Sequence, residues 1–309
     1  MSVEEASSAR IVVGIDGSEP SKVALRWAVR QAELTAASVE AVTVWEMPFT
    51  WYGIPFAPDR TPYIERAGTL LHEAIDAAIG PEHPVEIRCR VLEGNPAGAL
   101  VDTSRSAEIL VVGNRGHGGF SEALLGSVGQ HCVHYATCPV VVVRGPKAAE
   151  MTVGISPPGR IVVGVDGSHS SKAALRWAVD QARLRRGIVD VVIAWQYPPA
   201  YGMSDALVTG DFDRLAAQVL RESIDEVVGP EPPVEIRESK QFGNTVQVLL
   251  DKAQGAELLV VGNRGHGGFA EALLGSVSQH CVHHATCPVV ILRDDVNSRP
   301  PVTVEPNGP

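Results

Sequence analysis

Two segments of this chain place glycine, serine and arginine at a spacing suited to holding an anion. The first runs Gly113-Asn-Arg115-Gly116-His117-Gly-Gly-Phe-Ser-Glu-Ala-Leu-Leu-Gly126-Ser127, and the second runs from Gly262 through Arg264, Gly265 and His266 to Gly275-Ser276. Glycines let a backbone take positive φ and approach a ligand with no Cβ in the way. Successive N–H groups in such a loop form an anion-binding nest. Each closing Gly-Ser pair precedes a helical pattern, and a helix start offers unpaired N–H groups and the positive end of its dipole to phosphate. Ser127 and Ser276 add hydroxyl donors. Arg115 and Arg264 add either a charge or a solvent-facing side chain. An acidic residue, Asp16 or Asp166, closes a short apolar run earlier in each copy. The chemistry is phosphate binding beside a carboxylate. It is not that of the GxxxxGK[ST] loop, because no Lys follows the glycines, nor of GxGxxG after a first strand. A glycine turn chosen only for tight packing is the competing reading, and the second copy of the pattern weighs against it.

Other reactive residues read more plainly. His131, Cys132, His134 and Cys138, echoed at His280, Cys281, His283 and Cys287, suggest a zinc set. On a helix, however, His131 and His134 share a face from which Cys132 points about 100° away. We read the cysteines as small buried residues, the histidines as surface residues suited to a helix C-terminus, and expect no metal. Cys89 is unpaired, and the second copy has Glu238 there. His117 and His266 fit loop packing or a phosphate contact better than catalysis, which needs an orienting partner. Trp27 and Trp177 read as packing residues. Trp45 and Trp195 end a strand, where they either meet a ligand or cover the sheet. Phe49, Trp51, Tyr52 and Phe56 form an aromatic loop with a shorter echo at Tyr197 and Tyr201.

The elements that position these residues occur twice. Residues 11–34 and 161–184 are identical at 18 of 24 positions, and residues 106–144 and 255–293 at 32 of 39. Such a repeat is domain-sized. We place the first domain at 8–145, a Gly- and Pro-containing linker at 146–158, the second domain at 159–294 and a disordered, Pro-rich tail at 295–309. In the first unit, Ile11–Ile15 is an apolar run typical of a strand buried on both faces. Ser18 N-caps a helix. Val39–Trp45, Val85–Leu92, Ile109–Val112 and Pro139–Val143 are further strands. Helices are expected from about Tyr63 to Ile79, from Pro96 after the N-cap Asn95 to Ser104, and from Ser127 to Tyr135. Strands alternating with helices predict an α/β fold, a doubly wound and mostly parallel sheet in each half. Ligands of such sheets bind beyond the carboxyl ends of the strands.

The spacing Gly-x2-Gly-x9-Gly-Ser, together with the strand-one Asp, resembles the universal stress protein family across nearly the whole chain, as two tandem domains. The resemblance implies a five-stranded parallel sheet of order 3-2-1-4-5, of the adenine-nucleotide alpha-hydrolase-like kind, in each. It also implies ATP, with Mg²⁺, as cofactor, held by Asp16, Val44, Gly113, Arg115, Gly116, His117, Gly126, Ser127 and Val128 in the first half. The second half would use Asp166, Ala194, Gly262, Arg264, Gly265, His266, Gly275, Ser276 and Val277. Family domains pair through the last strand, here Val140–Val143 and Val289–Leu292, which apolar edge strands favour. Two tandem domains satisfy that pairing within one chain as an internal pseudo-dimer, and a homodimer of chains is the further arrangement open to it.

The function implied is a nucleotide-binding regulator of a stress response, read by an unidentified protein partner. A slow ATPase or phosphotransferase and a nucleotide-free scaffold are the alternatives. No nucleophile–base pair or carboxylate dyad is legible, so no catalytic residue is assigned. A net charge of −10 argues against nucleic acid as partner. No run reaches the roughly 18 apolar residues of a membrane span. Five cysteines and an acidic N-terminus without an apolar h-region suit the cytoplasm.

Overall fold

A computed structural model describes residues 9–47, 59–116, 125–144, 159–197, 209–265 and 274–293. The first half contains β1 (Arg10–Gly14), α1 (Glu19–Thr35), β2 (Ser38–Trp45), α2 (Thr61–Ile79), β3 (Ile87–Glu93), α3 (Pro96–Ser104), β4 (Ile109–Gly113), α4 (Ser127–Tyr135) and β5 (Val140–Val143). The second contains β6 (Arg160–Gly164), α5 (His169–Arg185), β7 (Ile188–Trp195), α6 (Thr209–Val228), β8 (Glu235–Phe242), α7 (Thr245–Lys252), β9 (Leu258–Gly262), α8 (Ser276–His284) and β10 (Val289–Leu292). The expected linker and tail, the aromatic loop around Trp51, and His117 and His266 lie outside the described residues.

Local chemistry sets the element starts. Ser18 sits in extended backbone and accepts from the Ser21 N–H, and Asn95 accepts from both Ala97 and Gly98. Each satisfies donors that a helix start leaves unpaired. Helix α2 begins two residues before the expected Tyr63, because the Asp59 carboxylate accepts from the Thr61 N–H at 2.9 Å and Pro62 fits the first turn. Strand β3 begins at Ile87 rather than Val85, whose side chain instead packs against the core.

The strands form one ten-stranded sheet of order β3-β2-β1-β4-β5-β10-β9-β6-β7-β8. Within each half every pairing is parallel, giving the order 3-2-1-4-5 in the first and its counterpart in the second. The halves meet where β5 and β10 pair antiparallel, with Val141 opposite Val290. All four residues of each of these strands are buried, so the apolar edges are covered by each other.

Burial on both faces explains the unbroken apolar runs. Ile11, Val13 and Ile15 pack with α1 and α2 residues such as Leu25, Ala28 and Leu71 on one face. Val12, Leu110 and Val112 pack with Leu100, Cys132 and Val133 of α3 and α4 on the other. Trp27 packs at the edge of the first layer. There the Arg185 guanidinium lies 5.9 Å from its ring centroid, pairs with Glu257 and donates to Gln31 across the seam between halves.

The cysteines sit as expected. Cys132, Cys138, Cys281 and Cys287 are buried and outside any disulfide, and Cys89 is exposed. Burial pushes the Cys132, Cys281 and Cys287 thiols up to about 12, which removes the reactive thiolate at neutral pH. Among the described residues, no three His, Cys, Asp or Glu side chains converge to hold a metal. A disulfide-exchange reagent at pH 8 is therefore expected to titrate one thiol per folded chain, Cys89, and all five only after unfolding. Rapid reaction of more than one would contradict the burial.

Candidate functional site

The carboxyl ends of β1 and β4 bring the expected residues together in each half. Asp16 follows β1 and Gly116 follows β4, and a Cβ at Gly116 would fall well inside contact distance of Asp16 Oδ2. Asp166 and Gly265 repeat the arrangement. The Asp16 carboxylate is set by its own turn: Oδ1 accepts from the Ser18 N–H at 3.0 Å and from the Ser18 hydroxyl at 2.6 Å. Asp166 and Ser168 do the same at 3.0 and 2.6 Å. Gly17 and Gly167 lie between them at φ +83° and +86°, backbone that favours glycine.

The two described ends of the glycine loop are tied to each other. Asn114, which follows β4, donates from its N–H to Val143 O at 2.8 Å and accepts from the Gly126 N–H at 2.9 Å. Asn263 makes the matching bonds with Leu292 and Gly275 at 2.6 and 2.7 Å. The start of α4 is thereby pinned beside the exit of β4. Ser18 was legible only as a helix cap, and Asn114 and Asn263 were missed. The Asp-Gly-Ser spacing, which favours a side chain bonding its own turn, was the available signal for the first. The asparagines become visible only when β4 and β5 are laid side by side.

The glycines have different reasons to be there. A Cβ at Gly113 would meet the Pro20 backbone at 2.9 Å, and Gly116 faces Asp16, so both answer to packing within the protein. Gly126 does not. Its φ is −71°, open to any residue. A Cβ there would come no nearer than 3.8 Å to its neighbours, and would stand 3.9 Å from the Gly116 nitrogen.

Gly126 also occupies the N-cap position of α4, and Gly275 that of α8, with no side-chain cap bond at either. By contrast α1, α3, α5 and α7 are capped by Ser18, Asn95, Ser168 and Asn244. The two helices that start at the glycine loops therefore keep their first-turn N–H groups uncapped by any side chain. Ser127 and Ser276 are exposed in that turn. Val128 and Val277 pack into the core layer, leaving their backbone as the part that can meet a ligand. Val44 and Ala194 sit near the ends of β2 and β7, in register with Leu92 and Gln241, and Val44 also packs on the core. Arg115 is exposed. Arg264 is half-buried; its Nε and the Asn263 Oδ1 find no hydrogen-bond partner among the described residues.

Residues 8–144 and 158–293 each match the model of the universal stress protein family. The chain belongs to the universal stress protein family. A universal stress protein of Mycolicibacterium smegmatis is 31% identical, with 94% of this chain and 99% of that protein covered. One of Mycobacterium tuberculosis H37Rv is also 31% identical, over 94% and 98%. A crystal structure of a universal stress protein from Archaeoglobus fulgidus overlays with a TM-score of 0.66 at 21% identity, covering 93% of this chain and 99% of that one. The shared fold is thus the tandem two-domain arrangement.

The far ends of α4 and α8 are clamped across the seam. Arg144, following β5, donates to the Val282 and His283 carbonyls, and Arg293, following β10, donates to the His134 carbonyl at 2.5 Å. Burial, followed by the charge of nearby histidines and of these arginines, holds the His134 and His283 imidazoles below their ordinary range. Just below the ordinary histidine pKa of about 6.5, the unfolded chain binds more protons than the folded one. Stability is then complete above that pH and is lost as pH falls through the window beneath it. The urea midpoint is expected to drop between pH 7.5 and 5.5, and to drop less in a His134→Gln, His283→Gln double variant. An equal drop in both proteins would assign the effect elsewhere.

Proposed function

We propose that this universal stress protein is a regulatory nucleotide binder, taking one ATP with its Mg²⁺ in each half and coupling occupancy to conformation or to a protein partner in the cytoplasm. The observation that carries this reading is the pair of helix starts, α4 and α8, with glycine at the N-cap and no side-chain cap, against four other helices capped by Ser or Asn. Uncapped first-turn amides and the helix dipole favour a phosphate. The residues present suit the ligand. Gly116, Gly126 and Ser127 would hold phosphates through backbone and hydroxyl donors. The exposed Asp16 carboxylate would accept from ribose hydroxyls, and the backbone at Val44 would meet the adenine edge. Asp166, Ala194, Gly265, Gly275 and Ser276 would do the same in the second half. Nothing among these residues activates a water for attack on the γ-phosphate, and no P-loop Lys is present, so the reading is binding rather than turnover. Isothermal titration of nucleotide-free protein with Mg·ATP tests it. Binding near two per chain, with turnover no faster than in buffer, is expected; sustained hydrolysis that Gly126→Asp, Gly275→Asp abolishes would make the protein an ATPase instead.

A further inference from the structure

The two halves differ at the end of the sheet edge farthest from the glycine loops. In the first half Trp45 and Glu93 stand opposite each other at the ends of β2 and β3. Glu93 is ion-paired with Arg60 at 3.0 Å, and Trp45 stacks on Tyr63 with ring centroids 5.7 Å apart. Glu46, the next residue, accepts from Asn95 Nδ2 at 3.5 Å. In the second half the same register pairs Trp195 with Phe242. Phe242 thus replaces Glu93, and Gln196 replaces Glu46. Trp195, Tyr197 and Phe242 touch one another with centroids 5.0–5.5 Å apart, and Phe212 lies 6.3 Å from Tyr197. Phe242 remains 61% exposed, an unusual place for a large aromatic side chain on a strand end.

Building on the nucleotide reading above, we infer that the second half holds the tighter nucleotide site, and that Phe242 sets the difference by giving the base an uncharged aromatic platform. Position supports this. Strands β9, β6, β7 and β8 are consecutive neighbours. The glycine loop follows β9, Asp166 follows β6, and Trp195 and Phe242 end β7 and β8. Three inter-strand steps of about 4.8 Å span about 14 Å, on the order of an extended nucleoside triphosphate. Phosphates on α8 and a ribose at Asp166 direct the base toward the aromatic cluster. Bases stack on aromatic side chains with useful affinity. The first half offers carboxylates at the same place, Glu93 paired with Arg60 and Glu46 bonded to Asn95, where the second half offers an aromatic face.

The test isolates each site in the full chain. Gly126→Asp leaves the second site open and Gly275→Asp leaves the first. Titration with Mg·ATP is expected to give a Kd about tenfold lower for the second site, an effect within the range of one base stack. Phe242→Glu should erase that advantage, and Glu93→Phe should improve the first site by a similar factor. Magnesium tripolyphosphate, which has no base, should bind both halves alike and ignore both rim changes. Equal ATP affinities in the two isolated sites, or no response to Phe242→Glu in a chain that still binds ATP, would overturn the inference while leaving the nucleotide reading intact. So would a Phe242→Glu chain with unchanged Kd but altered mass in solution, which would make the cluster a protein contact. Failure of ATP to bind any of these chains, the unmutated one included, would overturn both.

Discussion

A chain carrying Gly126→Asp and Gly275→Asp is expected to keep its folding stability within about 0.5 kcal/mol and to lose at least a hundredfold in Mg·ATP affinity. Both glycines are N-caps in extended backbone, φ −71° and ψ 157° or 151°, which aspartate adopts readily. Aspartate is among the best N-cap residues, and differs there from glycine by only a few tenths of a kcal/mol. Its carboxylate would take the first-turn N–H groups and place a negative charge where the phosphate is proposed to sit. Space permits it at Gly126, where a Cβ has 3.8 Å to its nearest neighbour, and at Gly275 a Cβ 3.3 Å from the Asn263 backbone oxygen needs that neighbour to give by a few tenths of an ångström. Gly116→Ala should also weaken Mg·ATP binding, for a different reason: its Cβ must displace the exposed Asp16 carboxylate, which is proposed to hold the ribose. Urea unfolding and calorimetric titration on the same samples separate stability from affinity. Full ATP affinity in the double aspartate chain would remove the helix starts from the site.

Val141→Asp is expected to cost about 4 kcal/mol, toward the top of the range for single substitutions. Val141 is fully buried opposite Val290 on the antiparallel seam, and both belong to the core layer that runs through the two halves. A carboxylate there has no partner and little water, and burying an unpaired charge is strongly unfavourable. Against a total of about 5–15 kcal/mol for a native protein, that loss is large. Because the seam strand is shared, the unfolding curve should also broaden or split as the halves lose their common strand pairing. A loss below about 1 kcal/mol with one sharp transition would mean that the seam does not hold the halves together.

The fold was legible because its signals are local. Continuous apolar runs such as Ile11–Ile15 mark strands covered on both faces, and Ser18 and Asn95 mark helix starts through bonds to residues two or three positions away. The β5–β10 junction was expected from the family resemblance, with two apolar edge strands that favour covering each other as its support. What was missed depends on residues far apart in sequence. Arg144 reaching His283, and Phe242 beside Tyr197 and Trp195, follow from strand order and register, which no local pattern encodes. The candidate site was legible as a set of residue types. Which glycines are fixed by packing was not, because Gly113, Gly116 and Gly126 look alike until Pro20 and Asp16 are seen beside the first two.

The most direct measurement is to denature freshly purified protein and identify and count the small molecules it releases, by chromatography and mass spectrometry. The account predicts adenine nucleotide, approaching two per chain, and its absence from the Gly126→Asp, Gly275→Asp chain prepared in the same way. No released nucleotide, together with no heat on adding Mg·ATP, would contradict it and leave a tandem-domain scaffold.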